Sequence, residues 1–389
     1  MVKKIAIKIF HIICQIVYRV SGWFVKDNRI YFESFHGKQY SDSPRAIYEY
    51  MKKNHPEYEL IWGVKKGFES IFIEEDVPYV HRLTLQGMYL MGSSKHWVIN
   101  TRMPDWMIKS KKTTYIQTWH GTPLKKLGLD IENVKMPGIS TTEYRNNFSK
   151  ETARWDYLIS ANSYSSQIFK RAFNFPNTML ESGYPRNDDL LNITDTEYLR
   201  EKLKIDASKK IILYAPTWRD NQFYKQGSYK FELPFSITDF TKKFGEDAVL
   251  LIRMHYLVSE SLDFSQFDGK VLDVSTYPDM RELLLVSDLL ITDYSSSFFD
   301  YALRNQPILF YMFDKKEYED VTRGMYFDVK DRLPWPIVER EKELFNYISS
   351  FLKGSNRINE EKLVQFKTDF NDFEKGTACQ QVADIITKK

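Results

Sequence analysis

The chain has 389 residues, long enough for two domains with a buried core in each and too long for a single small binding module. Hydrophobic residues make up 43% and charged residues 28%, with 16 Gly and 14 Pro scattered along the chain, which excludes disorder, collagen and coiled coil. Lys plus Arg number 55 against 52 Asp plus Glu, so a net charge of +3 excludes a general nucleic-acid coat, and two distant cysteines, Cys14 and Cys379, exclude zinc fingers, disulfide scaffolds and a Cys-x-x-Cys redox centre. The 25 Tyr and 27 Phe fit a thick core, an interfacial surface, or both.

Residues Ile5 to Phe24 are mostly apolar, but Lys4, Lys8, His11, Gln15 and Arg19 recur at spacings that place them along one helical face. The opposite face carries Ile5, Ile9, Ile12, Ile13, Ile16, Val17 and Val20. A spanning helix needs about 20 apolar residues with few charges, and cations along this stripe are costly at mid-bilayer. The pattern predicts an amphipathic helix over 2–24 lying on the cytoplasmic membrane surface, with an ordinary helix packed on a domain as the other reading.

From Asn28 the chain alternates buried strand patterns with helical ones. Arg29–Glu33, Tyr58–Gly63, Trp97–Asn100 and Thr113–Thr118 form one series of strands, with a helix over Pro44–Asn54. Asp156–Ser160, Lys210–Ala215, Ala248–Met254, Lys270–Val274, Asp288–Thr292 and Gln306–Tyr311 form a second, with helices over Met280–Val286 and Ser297–Arg304. The pattern predicts an α/β protein of two Rossmann-like, doubly wound parallel-sheet domains facing a cleft, with a boundary near residues 145–155. The tail from Glu341 reads as terminal helices, the last crossing back to the first domain.

In open parallel sheets ligands bind outside the carboxyl ends of the strands, and the residues there are polar. Thr113–Thr118 leads into Trp119-His120-Gly121-Thr122-Pro123, where Thr122 and Pro123 read as the cap and first turn of a helix and Gly121 permits a sharp bend. His120 at such an elbow is a general-base candidate, or a histidine that caps a turn. The strand ending at Met254 puts Arg253 and His255 on one side, suited to a phosphoryl group or to bridging a carboxylate. Thr292, Asp293, Tyr294, Ser295 and Ser296 precede a helix and offer hydroxyls and backbone N–H groups to a phosphate, although Asp293 and Ser295 can be plain caps. Thr217 and Arg219 after one strand, and Arg186 after Gly183-Tyr184-Pro185, add polar and positive groups where a diphosphate should lie. Asp188-Asp189 suits a first-turn charge role better than a metal pair. With no G-x-G-x-x-G motif, a dinucleotide cofactor is disfavoured.

Taken together, Gln117 to Lys125, Tyr214 to Arg219, Arg253-Met254-His255 and Thr292 to Ser296 resemble, in order, the motifs of the CDP-glycerol glycerophosphotransferase family of wall teichoic acid synthesis in Gram-positive bacteria. Phe32 to Phe35 with Gly37, Ser43 and Pro44 also look like the family, so the resemblance covers about residues 28–375. It implies a GT-B fold with a membrane-association helix over 1–27, an acceptor-side domain over 28–150, a CDP-polyol-binding domain over 151–370 and a terminal helix over 371–389. It further implies peripheral attachment to the cytoplasmic membrane face and a role in activity for His120 and His255. The implied reaction is attack by a hydroxyl of an undecaprenyl-diphosphate-linked disaccharide acceptor on the β-phosphorus of CDP-glycerol, with CMP leaving and no metal or cofactor required. His120 is then the base, Arg253, His255, Arg219 and Ser295–Ser296 hold the diphosphate, and Gly121, Thr122, Arg186 and Thr217 line the substrate. Tyr256, where many members have proline, marks a departure that leaves CDP-ribitol as the alternative donor. A sugar transferase of the same fold and a nucleotide-binding membrane scaffold are the more distant readings. A long extra terminal region found on some polymerases of the family is missing from this sequence, which favours a priming or short-chain enzyme.

Overall fold

The computed structural model describes residues 2–134, 139–217, 233–254, 264–314, 324–356 and 358–388. Two compact units emerge, one built from Met1–Asp188 with Asp372–Lys389 and the other from Asp189–Asn371.

In the first unit, the strands β1 (Lys26–Glu33), β2 (Glu59–Val64), β3 (Tyr79–His81), β4 (Ser94–Ile99), β5 (Thr114–Gln117), β6 (Tyr157–Ile159) and β7 (Thr178–Leu180) form a parallel sheet in the order β3-β2-β1-β4-β5-β6-β7. The central strands are apolar because helices cover both faces; Ile30, Tyr31, Phe32, Trp97, Val98 and Ile99 are fully buried. Much of the aromatic content sits here, with Trp62 packed against Phe32 at 5.7 Å and against Tyr40 at 5.1 Å between ring centroids. Gly63 on β2 is required, since a Cβ there would fall 1.6 Å from the Tyr31 hydroxyl, which donates to Glu33 Oε2 at 3.0 Å.

The strand at Tyr157–Ile159 corrects the expected boundary. It pairs with β5, not with the second sheet, so the first unit runs on to Asp188, well beyond residues 145–155. Asp156 explains the choice, because its Oδ2 accepts both the Tyr115 N–H at 2.6 Å and Lys109 Nζ at 2.8 Å. The C-terminal helix Ala378–Thr387 packs in this unit against the helix Asp42–Asn54 and places Val382, Ala383 and Ile386 in its core. Asp188 caps it, its two oxygens accepting the N–H groups of Ala378 at 2.9 Å and Cys379 at 2.7 Å. Asp189 instead pairs with Arg281 in the second unit at 2.7 Å.

The N-terminal helix, Val2–Ser21, docks on the helix Leu85–Gly92 through the buried residues Cys14, Tyr18 and Ser21. Gly92 makes this approach possible, since a Cβ there would lie 2.1 Å from Ser21 Oγ. His11 stacks on Trp106 with centroids 5.0 Å apart. The isoleucine face is left uncovered: Ile5, Ile9, Ile12, Ile13 and Ile16 are 47–56% exposed, and Trp23 and Phe24 beyond it are 72% and 59% exposed.

The second unit repeats the plan with β8 (Lys210–Tyr214), β9 (Ala248–Ile252), β10 (Val271–Asp273), β11 (Leu289–Thr292), β12 (Ile308–Tyr311) and β13 (Ile337–Val338) in the parallel order β10-β9-β8-β11-β12-β13. Leu250, Ile252, Ile291 and Leu309 meet Phe235, Phe240, Phe244 and Phe345 in its core. Helices Met280–Val286, Glu341–Leu352 and Glu360–Phe370 belong to it. The helix expected over Ser297–Arg304 is shorter, a single α stretch over Ser297–Tyr301 followed by a tighter 3-10 turn over Ala302–Arg304. In each sheet the strand order reverses once, at β1/β4 and at β8/β11, and those carboxyl ends are where an open α/β sheet takes ligands.

Candidate functional site

At the first reversal point, Asn100 directly follows β4 and β5 leads to His120. Asn100 organises the corner. Its Oδ1 accepts the Phe35 N–H at 2.9 Å, its Nδ2 donates to Asp42 Oδ2 at 2.7 Å, and its carbonyl oxygen lies 2.8 Å from His120 Nδ1. A carbonyl can only accept, so Nδ1 carries the proton of the neutral ring and Nε2 keeps its lone pair, the arrangement a general base needs. The ring is stacked on Trp119, with centroids 4.5 Å apart, while its edge stays open to solvent. Protein crowded around it desolvates the imidazolium and lowers the pKa, which the bond to Asn100 and the charge of Asp42 oppose and Arg186 reinforces.

No helix starts at Thr122, contrary to expectation. Residues 118–127 form an irregular turn, Trp119 adopts a left-handed φ of 54°, and among the described residues a 3-10 turn over Gly128–Asp130 and then the α-helix Thr141–Thr152 follow. Tertiary bonds take the groups a helix would use: Thr122 Oγ1 accepts from Asn162 Nδ2 at 3.2 Å, and the Pro123 carbonyl accepts from the Tyr164 hydroxyl at 2.8 Å. The lowered pKa of His120 comes first from desolvation by the protein packed around its ring.

Arg186 also differs from expectation. It lies in the first unit and not in the second, and there its Nη1 meets Asp42 Oδ1 at 2.9 Å and its guanidinium covers the Tyr184 ring at 4.3 Å. Asn100 and Asp42, the side chains that hold this corner, escaped the reading of motifs. Asp42 had one local signal, a helix-start acid following Ser41, but its left-handed φ of 65° turns it inward to Asn100.

At the second reversal point, Thr292 Oγ1 donates to the Ala215 carbonyl at 2.7 Å, and Asp293 Oδ1 accepts the N–H groups of Thr217 at 2.8 Å and Tyr294 at 2.5 Å. Thr292, Asp293 and Tyr294 are buried, so they clip the ends of β8 and β11 together, while Ser295 and Ser296 remain partly open at the rim. Arg253 Nη1 donates to the carbonyls of Val274 at 3.0 Å and Tyr277 at 2.6 Å, and burial pushes its pKa down to about 10. Gly121 and Thr122 are buried beside His120. Arg219 and His255, with Trp218 and Tyr256, lie outside the described residues. Among the described residues no three His, Cys, Asp or Glu side chains gather to hold a metal ion.

The family model described as CDP-Glycerol:Poly(glycerophosphate) glycerophosphotransferase matches residues 13–388. The chain belongs to this family. A teichoic acid glycerol-phosphate transferase of Staphylococcus aureus is 48% identical over 366 residues, 93% of each chain. A teichoic acid poly(glycerol phosphate) polymerase of Bacillus subtilis is 46% identical over 370 residues, 94% of this chain and 49% of the relative, so the chain spans about half the length of that polymerase. Among solved structures, the wall teichoic acid polymerase TagF superposes with a TM-score of 0.88 at 41% identity, covering 99% of this chain and 94% of that one. A form of TagF soaked with CDPG reaches 0.86 at 38% identity over 99% and 97% of the two chains. The fold is accordingly the GT-B type expected from the sequence, two parallel-sheet α/β domains preceded by an apolar N-terminal helix.

Proposed function

We propose that this chain transfers glycerol phosphate from CDP-glycerol to a hydroxyl of a lipid-linked teichoic acid primer or chain, releasing CMP. The observation that carries the reading is the His120 ring, held by the Asn100 carbonyl with Nε2 available, in a chain of this family. The relatives' names and the CDPG-soaked form of TagF support the donor. His120 Nε2 takes the proton of the acceptor hydroxyl as its oxygen bonds to the β-phosphorus. The bond from that phosphorus to the bridging oxygen breaks, and CMP leaves with the electron pair. In the second unit, Ser295 and Ser296 hold the diphosphate through their hydroxyls and N–H groups, with Asp293 fixing the ends of β8 and β11 and Arg253 fixing the end of β9. Arg219 and His255 complete this set by resemblance. Positioning and charge stabilisation supply most of the rate in such phosphoryl transfers.

The same reading places the protein peripherally on the cytoplasmic face of the membrane. Its support is the N-terminal helix, which docks through Cys14, Tyr18 and Ser21 and turns its isoleucine face outward.

The test is CMP release and product mass with a validated lipid-linked primer and either CDP-glycerol or CDP-ribitol. One added glycerol phosphate identifies a primase-type enzyme, a ladder a polymerase, and ribitol-dependent CMP moves the donor to the alternative. Folded His120→Ala should lose about 10²- to 10⁴-fold in turnover; near-normal turnover would remove His120 as the base.

A further inference from the structure

We infer that Trp106 is a positioning residue for His120, through which the N-terminal helix helps to set the proposed base, an inference that rests on the transfer reading above. Neighbouring parallel strands are usually joined through a helix that packs back on the sheet. Residues 100–113, which join β4 to β5, run instead in turns and bends, so contacts from elsewhere fix their path. The N-terminal helix supplies two of them. Its His11 ring stacks on Trp106 with centroids 5.0 Å apart and planes 15° apart, and Phe10 meets the same indole edge-on at 6.1 Å. Just beyond the helix, the Gly22 carbonyl accepts from the Ser110 hydroxyl at 3.2 Å, and a Cβ at Gly22 would lie 3.0 Å from Ser110 Cβ.

The other end of the same segment holds His120 from two sides. The Asn100 carbonyl lies 2.8 Å from His120 Nδ1. The next carbonyl, that of Thr101, accepts Gln117 Nε2 at 3.0 Å, and Gln117 Oε1 in turn accepts the Trp119 N–H at 3.0 Å. Trp119 carries the indole that stacks on the His120 ring, 4.5 Å between centroids. Two consecutive carbonyls thus hold the imidazole, one at its edge and one through the ring lying on its face. Between Thr101 and Trp106, the Met103 N–H donates to Glu151 Oε1 at 2.9 Å and the Pro104 carbonyl accepts from Arg154 Nη1 at 3.0 Å. Bonds at such close intervals leave the segment little slack in which a displacement of Trp106 could be absorbed before it reaches Asn100. A general base is sensitive to such displacements, because misplacement by about 1 Å from a remote change can cost about 10²-fold in rate.

The full chain is given a water-soluble oligo(glycerol phosphate) acceptor without vesicles, so that membrane binding does not enter, and His11→Ala, Trp106→Ala, their double variant and Trp106→Phe are compared with the parent. His11→Ala should lower kcat about 3- to 10-fold and Trp106→Ala about 10- to 100-fold, with both KM values within about 2-fold. The double variant should be no slower than Trp106→Ala, because the two rings make one contact, and Trp106→Phe should recover most of the rate. Asp42, Arg186 and His36, the other groups whose charge reaches His120, are untouched in these variants. The bond to Asn100 raises the His120 pKa, so loosening it should move the acid limb of kcat/KM to lower pH in both alanine variants. An unchanged kcat, or a fall in kcat with an unmoved acid limb, overturns the inference. A second readout is independent of turnover: the His120 pKa, followed by NMR, should be lower in His11→Ala and Trp106→Ala than in the parent, and equal values overturn the inference. Should the parent release no CMP from either donor, the transfer reading fails, and the NMR titration still decides whether the N-terminal helix acts on His120.

Discussion

Replacing Asp42 by Asn tests whether the corner behind His120 works as a unit. The side chains of Arg186 and Asp42 are 11% and 7% exposed and lie 2.9 Å apart, so the pair is screened little by solvent. Removing one member of such a pair typically costs 3–5 kcal/mol, most of it from the charge left behind. Asparagine tolerates the φ of 65° and keeps an oxygen for Arg186 and for the Ser43 N–H now accepted at 2.7 Å, which puts the cost near the low end, about 3 kcal/mol. Its new N–H group meets the donor Nδ2 of Asn100 and forfeits a hydrogen bond worth about 1 kcal/mol. Arg186→Met alone should cost about 3 kcal/mol, and the double variant about 2 kcal/mol less than the sum of the singles, because neither charge is then stranded. Urea unfolding followed by tryptophan fluorescence measures this cycle. The pH profile of kcat/KM gives a second reading with opposite signs. Asp42 raises and Arg186 lowers the His120 pKa, so the acid limb should move to lower pH in Asp42→Asn and to higher pH in Arg186→Met. Additive unfolding energies, or limbs that move in the same direction, would refute the coupling.

His96 on β4 is 5% exposed, and burial lowers its pKa to about 4. The unfolded chain, with an ordinary histidine near 6.5, binds more protons between those values, so stability should fall as pH drops through that window, by about 3 kcal/mol at pH 4. His96→Leu should flatten the acid slope of the unfolding free energy relative to the parent, and parallel slopes would contradict the assignment. On the N-terminal helix, Ile12→Glu with Ile16→Glu should weaken vesicle binding by at least about tenfold and change the unfolding free energy by less than about 1 kcal/mol, because these residues are 56% and 54% exposed. Full flotation of that variant would mean that the exposed face does not meet the membrane.

The parallel sheets, the amphipathic first helix and the polar strand ends were legible in the sequence because each depends on local pattern. Doubly buried strands read as continuous apolar runs such as Ala248–Ile252, and a helical stripe is written in spacings of three and four. Tertiary structure decided what depends on a distant partner. Tyr157–Ile159 has the same apolar character whichever sheet it joins, and the Asp156 bond to the Tyr115 N–H assigns it to the first. Thr122-Pro123 has the local chemistry of a helix start, yet Asn162 and Tyr164 take its polar groups and leave a turn. Arg186 reads as a lone cation after a strand, and only the fold shows that Asp42, 144 residues earlier, meets its guanidinium. A periodic pattern specifies an element because its forces act between near neighbours. A hydrogen-bonding or charged group is compatible with many partners, and only the folded chain brings one of them within about 3 Å.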